Sequence, residues 1–225
     1  MEIAFTIYDL RFTNGEGMDI KKAKGLMIAL KNMGVDQYIG RDKDGPTLEG
    51  LKKVAMDCVR CGLAATRKTV VFGEGSPKAN IVFVGEAPGE EEDNQGRPFV
   101  GRAGKLLDQL IERIGVKRSD VFICNVLKCR PPDNRDPQPD EISCCKEYLL
   151  AQLDIIHPRV ICTLGRHAYN TLLEVDAAIT KIRGKMTTFR GIPLLPTYHP
   201  SYLLRSQSKI SEAWEDMETL KQFIK

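Results

Sequence analysis

Two sets of side chains in this 225-residue chain have the types and spacing to do chemistry. The first is a set of thiols. Cys58 and Cys61 form a C-x2-C pair, Cys129 follows an apolar run, and Cys144 and Cys145 lie in a helical segment. The second is a set of residues at the ends of short apolar runs. Gly85-Glu86-Ala87 ends one run, Asn125 another, and Tyr198-His199-Pro200 a third.

Seven cysteines are too many, and too odd in number, for a complete disulfide framework in a chain without secretory features. Clustered thiols then point to metal or to catalysis. Two cysteines beyond the C-x2-C pair make a four-thiolate site possible, of the kind that holds zinc or an iron–sulfur cluster. Cys129 is separated widely from the adjacent pair, a spacing that suits a cluster better than a compact zinc knuckle. Ile142, Cys145, Leu149, Leu153 and Ile156 recur at helical spacing on one inward stripe. Cys144 is turned about 100° away from it, so Cys145 is preferred as ligand. Cys124 and Cys162 lie inside apolar strands and read as small buried hydrophobes. On spacing alone, scattered buried cysteines remain the alternative.

At the strand ends, Gly85, Pro88 and Gly89 make a stiff turn whose backbone donors can face a ligand. The acids Glu90 to Asp93 suit the first turn of a helix. Phe99, set between glycines and arginines in "GRPFVGRAG", suits stacking on a base beside phosphates, or anchoring of its own loop. The amide of Asn125 offers a donor and an acceptor side by side, enough to read a base edge. His199, rigidified by Pro200, can donate to a developing anion. In "SYLLR", leucines beside Arg205 can wedge into a base stack. "GEAPG" is no G-x-G-x-x-G fingerprint, which argues against a dinucleotide.

These residues need a scaffold that brings strand ends together. "IVFVG", "VFICNV", "RVICTLG" and "GIPLLPTYHP" read as strands, the first three as continuous apolar runs covered on both faces. Helical patterns separate them: "TLEGLKKVAMD", Leu106 to Ile114, "PDEISCCKEYLLAQLDII" and "RHAYNTLLEV", with "SEAWEDMETLKQFI" closing the chain. Alternation of this kind predicts a three-layer α/β/α sandwich around a central four-stranded, mostly parallel sheet. Ligands bind such sheets beyond the C-terminal strand ends. Residues 1–46 read as an N-terminal extension of unknown role, with one helix in "MDIKKAKGLMIALKNMGVDQYI", and residues 47–225 as the functional domain.

A net charge of +3 permits a polyanionic partner without requiring one. No apolar run reaches the ~18 residues of a membrane span. The N-terminus lacks the pattern of a signal peptide. The expectation is a cytoplasmic, monomeric protein.

Taken together, four ordered blocks, "GEAPGEEED", "GRPFVGRAG", "NVLKCRPPDNR" and "HPSYLLR", resemble the family-four, iron–sulfur uracil-DNA glycosylases. The resemblance covers residues 47 to 225. It implies the uracil-DNA glycosylase fold, uracil-containing DNA (single- or double-stranded) as partner, and base excision repair as the process. It also implies a structural 4Fe–4S cluster on Cys58, Cys61, Cys129 and Cys145. By motif position, Gly85, Glu86 and Ala87 line the uracil pocket, Phe99 stacks on the flipped base and Asn125 separates uracil from cytosine. His199 stabilises the leaving anion, with Leu203 as wedge beside Arg205. Many members of the wider superfamily have a water-positioning Asp where this chain has Ala87, so Glu92 or Asp93 is the candidate to position the water, and Glu86 and Glu92 stand with His199 as catalytic candidates. Three rivals stand beside this reading. One is a zinc-containing, non-catalytic nucleic-acid binder, and another an electron carrier. The third is a DNA-trapping branch, whose extra histidine "LKCRPPDNRDP" lacks.

Overall fold

The computed structural model describes residues 47–224. The helix expected between residues 18 and 39 lies outside them, as does the whole N-terminal extension, residues 1–46. Six strands form one sheet: β1 (Glu74–Gly75), β2 (Ile81–Gly85), β3 (Phe122–Asn125), β4 (Val160–Leu164), β5 (Thr187–Phe189) and β6 (Ile192–Thr197). Their order is β1-β3-β2-β4-β6-β5. The inner four, β3-β2-β4-β6, are parallel and are the four that the apolar runs predict. The expectation of a four-stranded sheet needs a correction at its edges, where β1 and β5 pair antiparallel. At two and three residues they are too short to carry a periodicity that sequence reading can detect.

Every residue of β2 and of β4 is buried. Alternate side chains of β2 enter opposite cores, as the two-residue repeat of a strand requires. Val82 and Val84 pack with Leu51 and Leu149 on one face. Ile81 and Phe83 pack with Leu107, Leu110 and Met217 on the other. The first face is covered by α1 (Leu48–Met56), whose Thr47 cap accepts from the Gly50 amide at 3.1 Å, and by α4 (Pro139–Ile156). The second is covered by α3 (Arg102–Arg113) and α8 (Ile210–Leu220). The layers are therefore α/β/α. Cys124 and Cys162, read as small apolar residues, are both fully buried within the sheet.

Between these lie shorter helices: α2 (Glu90–Gln95), α5 (Arg166–Leu173), α6 (Ile179–Ile182) and α7 (Pro200–Arg205). The acids of the "GEEED" loop occupy the first turn of α2, where the helix dipole favours them. Parallel register aligns Gly85 with Asn125 and Leu164 with Thr197, so the C-terminal ends of β2, β3, β4 and β6 open on one side of the sheet. The chain leaves β2 for β3 on one flank and later enters β4 on the other. The crevice between β2 and β4 is thus a topological switch point, where open α/β sheets bind ligands. Among the described residues, no helix is long and apolar enough to cross a membrane.

Candidate active site

A cavity of about 470 Å³ opens at this edge. Glu86, Ala87, Phe99, Asn125 and His199 all line it, so the structure gathers residues from four separate loops. Gly85 lies beneath them. A Cβ there would stand 2.3 Å from Asn125 Oδ1 and 2.5 Å from Phe99 Cζ, so only glycine lets the amide and the ring approach the strand end. Asn125 is 1% exposed, and its Oδ1 has no hydrogen-bond partner within the protein. A buried acceptor left unpaired costs ~1–3 kcal/mol, which a donor on a bound ligand would recover.

Phe99 adopts a left-handed backbone (φ 51°), a conformation disfavoured for an aromatic residue. The loop is held in it from both sides. Arg118 donates to the carbonyls of Pro98 (2.5 Å) and Phe99 (3.3 Å) and pairs with Glu74 and Asp108. Glu92 Oε1 accepts the amides of Val100 (2.8 Å) and Gly101 (3.0 Å), while Oε2 accepts that of Gly89 (3.2 Å). At Gly104, a Cβ would meet the Phe99 carbonyl oxygen at 1.8 Å, so α3 can pass under the loop only without a side chain there. Glu92 lines the cavity, yet three backbone donors occupy its carboxylate. The residue expected to position the water thus holds this loop through three backbone amides.

His199 caps α7. Its Nδ1 accepts the Ser201 amide at 3.1 Å and lies 2.7 Å from the Ser201 hydroxyl. An accepting Nδ1 places the proton of a neutral ring on Nε2. Burial, with Arg205 and His167 nearby, pushes the imidazole pKa down to about 4. A neutral ring with a free N–H donor results. The ring sits 5.7 Å from that of Phe99, tilted by 36°. Ser201, which orients this ring, is a functional residue that sequence reading missed.

The fourth strand end also contributes to the cavity. Gly165, Arg166 and His167 follow β4 and line it. His167 Nε2 lies 3.8 Å from a Glu86 carboxylate oxygen and 3.6 Å from one of Asp136. Burial raises the Glu86 pKa, and His167 opposes that shift. The "GRHA" segment reads as an ordinary helix start, so no local signal marks His167. The leucine that motif position offers as wedge points inward. Leu203 is 0% exposed, packed into the core on the α3 and α8 side. Its neighbour Leu204 is 40% exposed, and Arg205 lines the cavity. α7 puts these neighbours on different faces.

A second, smaller cavity is lined by Cys58, Cys61, Cys129, Cys144 and Cys145, with Lys128 and Tyr148. The C-x2-C loop follows α1, Cys129 follows β3, and Cys145 sits on the inward face of α4. The Lys128 amide donates to Cys145 Sγ (3.2 Å) and Arg67 to Cys129 Sγ (3.5 Å). The Cys144 thiol is turned to the Arg60 carbonyl at 3.3 Å. Burial holds the thiols of Cys129 and Cys145 high, at about 11 and about 12. Among the described residues, no three of these sulfurs lie within 4.8 Å of one another.

Comparison with known proteins fits this geometry. The sequence model of the uracil DNA glycosylase superfamily matches residues 72–218. The type-4 uracil-DNA glycosylase of Thermotoga maritima is 51% identical over 172 residues, 75% of this chain and 90% of that protein. The one from Sulfurisphaera tokodaii is 48% identical over 185 residues, 78% and 84% of the two chains. That of Pyrobaculum aerophilum is 41% identical over 178 residues, 76% and 91%. With matches of this length on both sides, the chain belongs to the uracil DNA glycosylase superfamily and groups with its type-4 members.

Proposed function

We infer that this protein is a uracil-DNA glycosylase, a hydrolase that removes uracil from DNA and leaves an abasic site. The observation that carries the reading is the buried, unpartnered Asn125 Oδ1 beside the Phe99 and His199 rings. Uracil offers an N3–H donor and an O4 acceptor on the edge that pairs in DNA. An amide matches both. Cytosine presents an acceptor at N3 and a donor at C4, so the same amide is mismatched at both positions.

The target base must leave the stack to reach the cavity, which costs a few kcal/mol. Phe99 supplies a face for stacking, and the walls at Glu86 and Ala87 bound the base. The C1′–N1 bond then breaks, with its electron pair passing to uracil and positive charge developing on the sugar. His199 Nε2–H donates to the departing anion, worth roughly 3 kcal/mol for a preorganised donor. A neutral ring suits this role, since it donates without being an acid strong enough to lose its proton. Water adds to C1′, and the Glu86 carboxylate takes the proton that the water sheds. Arg205 lines the cavity and Leu204 beside it in the chain is exposed, so the pair would meet the backbone phosphates and the vacated stack.

Cys58, Cys61, Cys129 and Cys145 would hold a 4Fe–4S cluster. Two things support this: the four side chains line one cavity, and two of the sulfurs accept N–H donors. The Cys144 thiol, facing the Arg60 carbonyl, is left out. When bound, the cluster supplies a rigid cross-link between α1, the loop after β3 and α4, and no redox step.

The test is direct. The purified protein is incubated with an oligonucleotide containing one uracil, then with alkali. Strand cleavage at the uracil, and none at cytosine in the same context, is expected. An intact strand would overturn the reading. A brown protein absorbing near about 400 nm is the expected signature of the cluster.

A further inference from the structure

Lys128 is a buried lysine that the proposed mechanism does not use. It is 2% exposed and lies between the two cavities. Its Nζ donates to the Asn125 carbonyl at 2.7 Å and to Gln152 Oε1 at 2.7 Å. Gln152, fully buried, donates in turn to the Phe72 carbonyl at 2.8 Å. Two N–H donors suffice for both bonds, so the arrangement stands in either charge state. The main chain of Lys128 is held as firmly. Its amide donates to Cys145 Sγ, and its carbonyl accepts the Val71 amide at 2.7 Å. One residue therefore touches the carbonyl of the base-reading Asn125 and a sulfur of the cysteine site.

The segment between them is short and fully engaged. Val126 and Leu127 donate their amides to Gly85 and Glu86 at 2.9 and 3.0 Å. Asn125 ends β3, and Gly85 of β2 holds the N–H side of the peptide that follows it. The side chain of Lys128 folds back over three residues and holds the carbonyl side of the same peptide.

We propose that Lys128 is a positioning residue, which aims the Asn125 amide at the base and transmits the rigidity of the cysteine site to the uracil pocket. This rests on the uracil-glycosylase reading above. A strut of this kind would couple the thiolate site to base selection: Cys145 accepts the Lys128 amide, Cys129 follows it in the same loop, and Lys128 Nζ holds the Asn125 carbonyl. A misplacement of ~1 Å at a reacting or reading group can cost roughly a hundredfold in rate.

The experiment compares Gln152→Leu with Gln152→Leu/Lys128→Met, so that no buried amide is left facing an apolar chain. Each is repeated on an Asn125→Ala background. Readouts are kcat/KM on uracil-containing and cytosine-containing single strands, iron per chain and absorbance near about 400 nm. The expected result is a fall of about ten- to a hundredfold in kcat/KM for uracil when Lys128 is replaced, with iron content held. In the Asn125→Ala background the same replacement should cost less than about threefold, because two residues that act as a unit are non-additive. Unchanged kcat/KM, a loss that tracks iron, or additive effects would overturn the proposal. So would failure of the double variant to fold where Gln152→Leu folds, since Lys128 would then be holding the fold. If the unmodified protein does not cleave uracil DNA at all, it is the function reading that fails.

Discussion

Glu92 and Val100 are joined by a hydrogen bond of 2.8 Å from the Val100 amide to the carboxylate, which ties α2 to the loop that presents Phe99. This bond, with those from Gly101 and Gly89, turns an acid at the cavity wall into a structural clamp. Glu86, by contrast, makes no such backbone bond among the described contacts and faces His167. Two acids of the same signature block thus do different work.

Glu86→Gln and Glu92→Gln separate those roles. Glu92→Gln turns an NH2 toward backbone amides that need an acceptor, and should cost about 1–3 kcal/mol of stability. Its activity should fall along with its melting temperature. Glu86→Gln should lower kcat by at least tenfold with little change in melting, because it removes a proton acceptor within general acid–base range. Thermal melts with single-turnover kinetics check both. Equal melting temperatures for the two variants would remove the clamp argument.

The pH dependence follows from His199. Its pKa is about 4 in the fold against an ordinary 6.5. Above the ordinary value both folded and unfolded forms are neutral, and the residue contributes nothing to pH dependence. As pH falls below it, the unfolded chain takes up a proton that the fold refuses, so stability declines until the folded pKa is reached. The loss attributable to this group is at most about 3 kcal/mol. Activity should show no His199 titration from pH 8 to pH 6, since the ring stays neutral throughout. His199→Ala should lower kcat by about a hundredfold or more and flatten the stability decline. Chemical denaturation at pH 7 and pH 5 measures the second effect.

Motif position assigns the wedge to Leu203, which is buried, while Leu204 beside it is exposed. Leu203→Ala removes a fully buried side chain and should cost about 2–5 kcal/mol. Leu204→Ala, at an exposed site, should leave stability within about 0.5 kcal/mol. If Leu204 enters the vacated stack, its loss should slow cleavage of duplex DNA and spare single strands. Equal slowing on both substrates would return the wedge to another residue.

The cysteines divide likewise. Cys129→Ala and Cys145→Ala should lose iron, colour and much of the fold's stability, because binding free energy at such a site is folding free energy. Cys144→Ala should keep its iron, as this thiol faces the Arg60 carbonyl. Iron content and absorbance decide. A colourless Cys144→Ala would reassign the fourth ligand.

Much of this was legible in the linear chain, for reasons that differ by residue. Continuous apolar runs such as "IVFVG" mark buried parallel strands because neither face meets water. Helical spacing singled out Cys145 over Cys144, because a 100° step between neighbours cannot put both on one face. Side-chain type alone made Asn125 and His199 candidates. The edge strands β1 and β5 were not legible, since two or three residues carry no period.

The sequence by itself determined which elements form and which chemistry their ends can offer. Both follow from local periodicity and side-chain type. Only the tertiary structure decided the partners. It placed three amides on Glu92, buried Leu203, brought His167 to Glu86 and folded Lys128 back onto Asn125. Each of these depends on contacts between segments, or on the face a short helix presents to its neighbours. Periodicity within one segment carries no information about either.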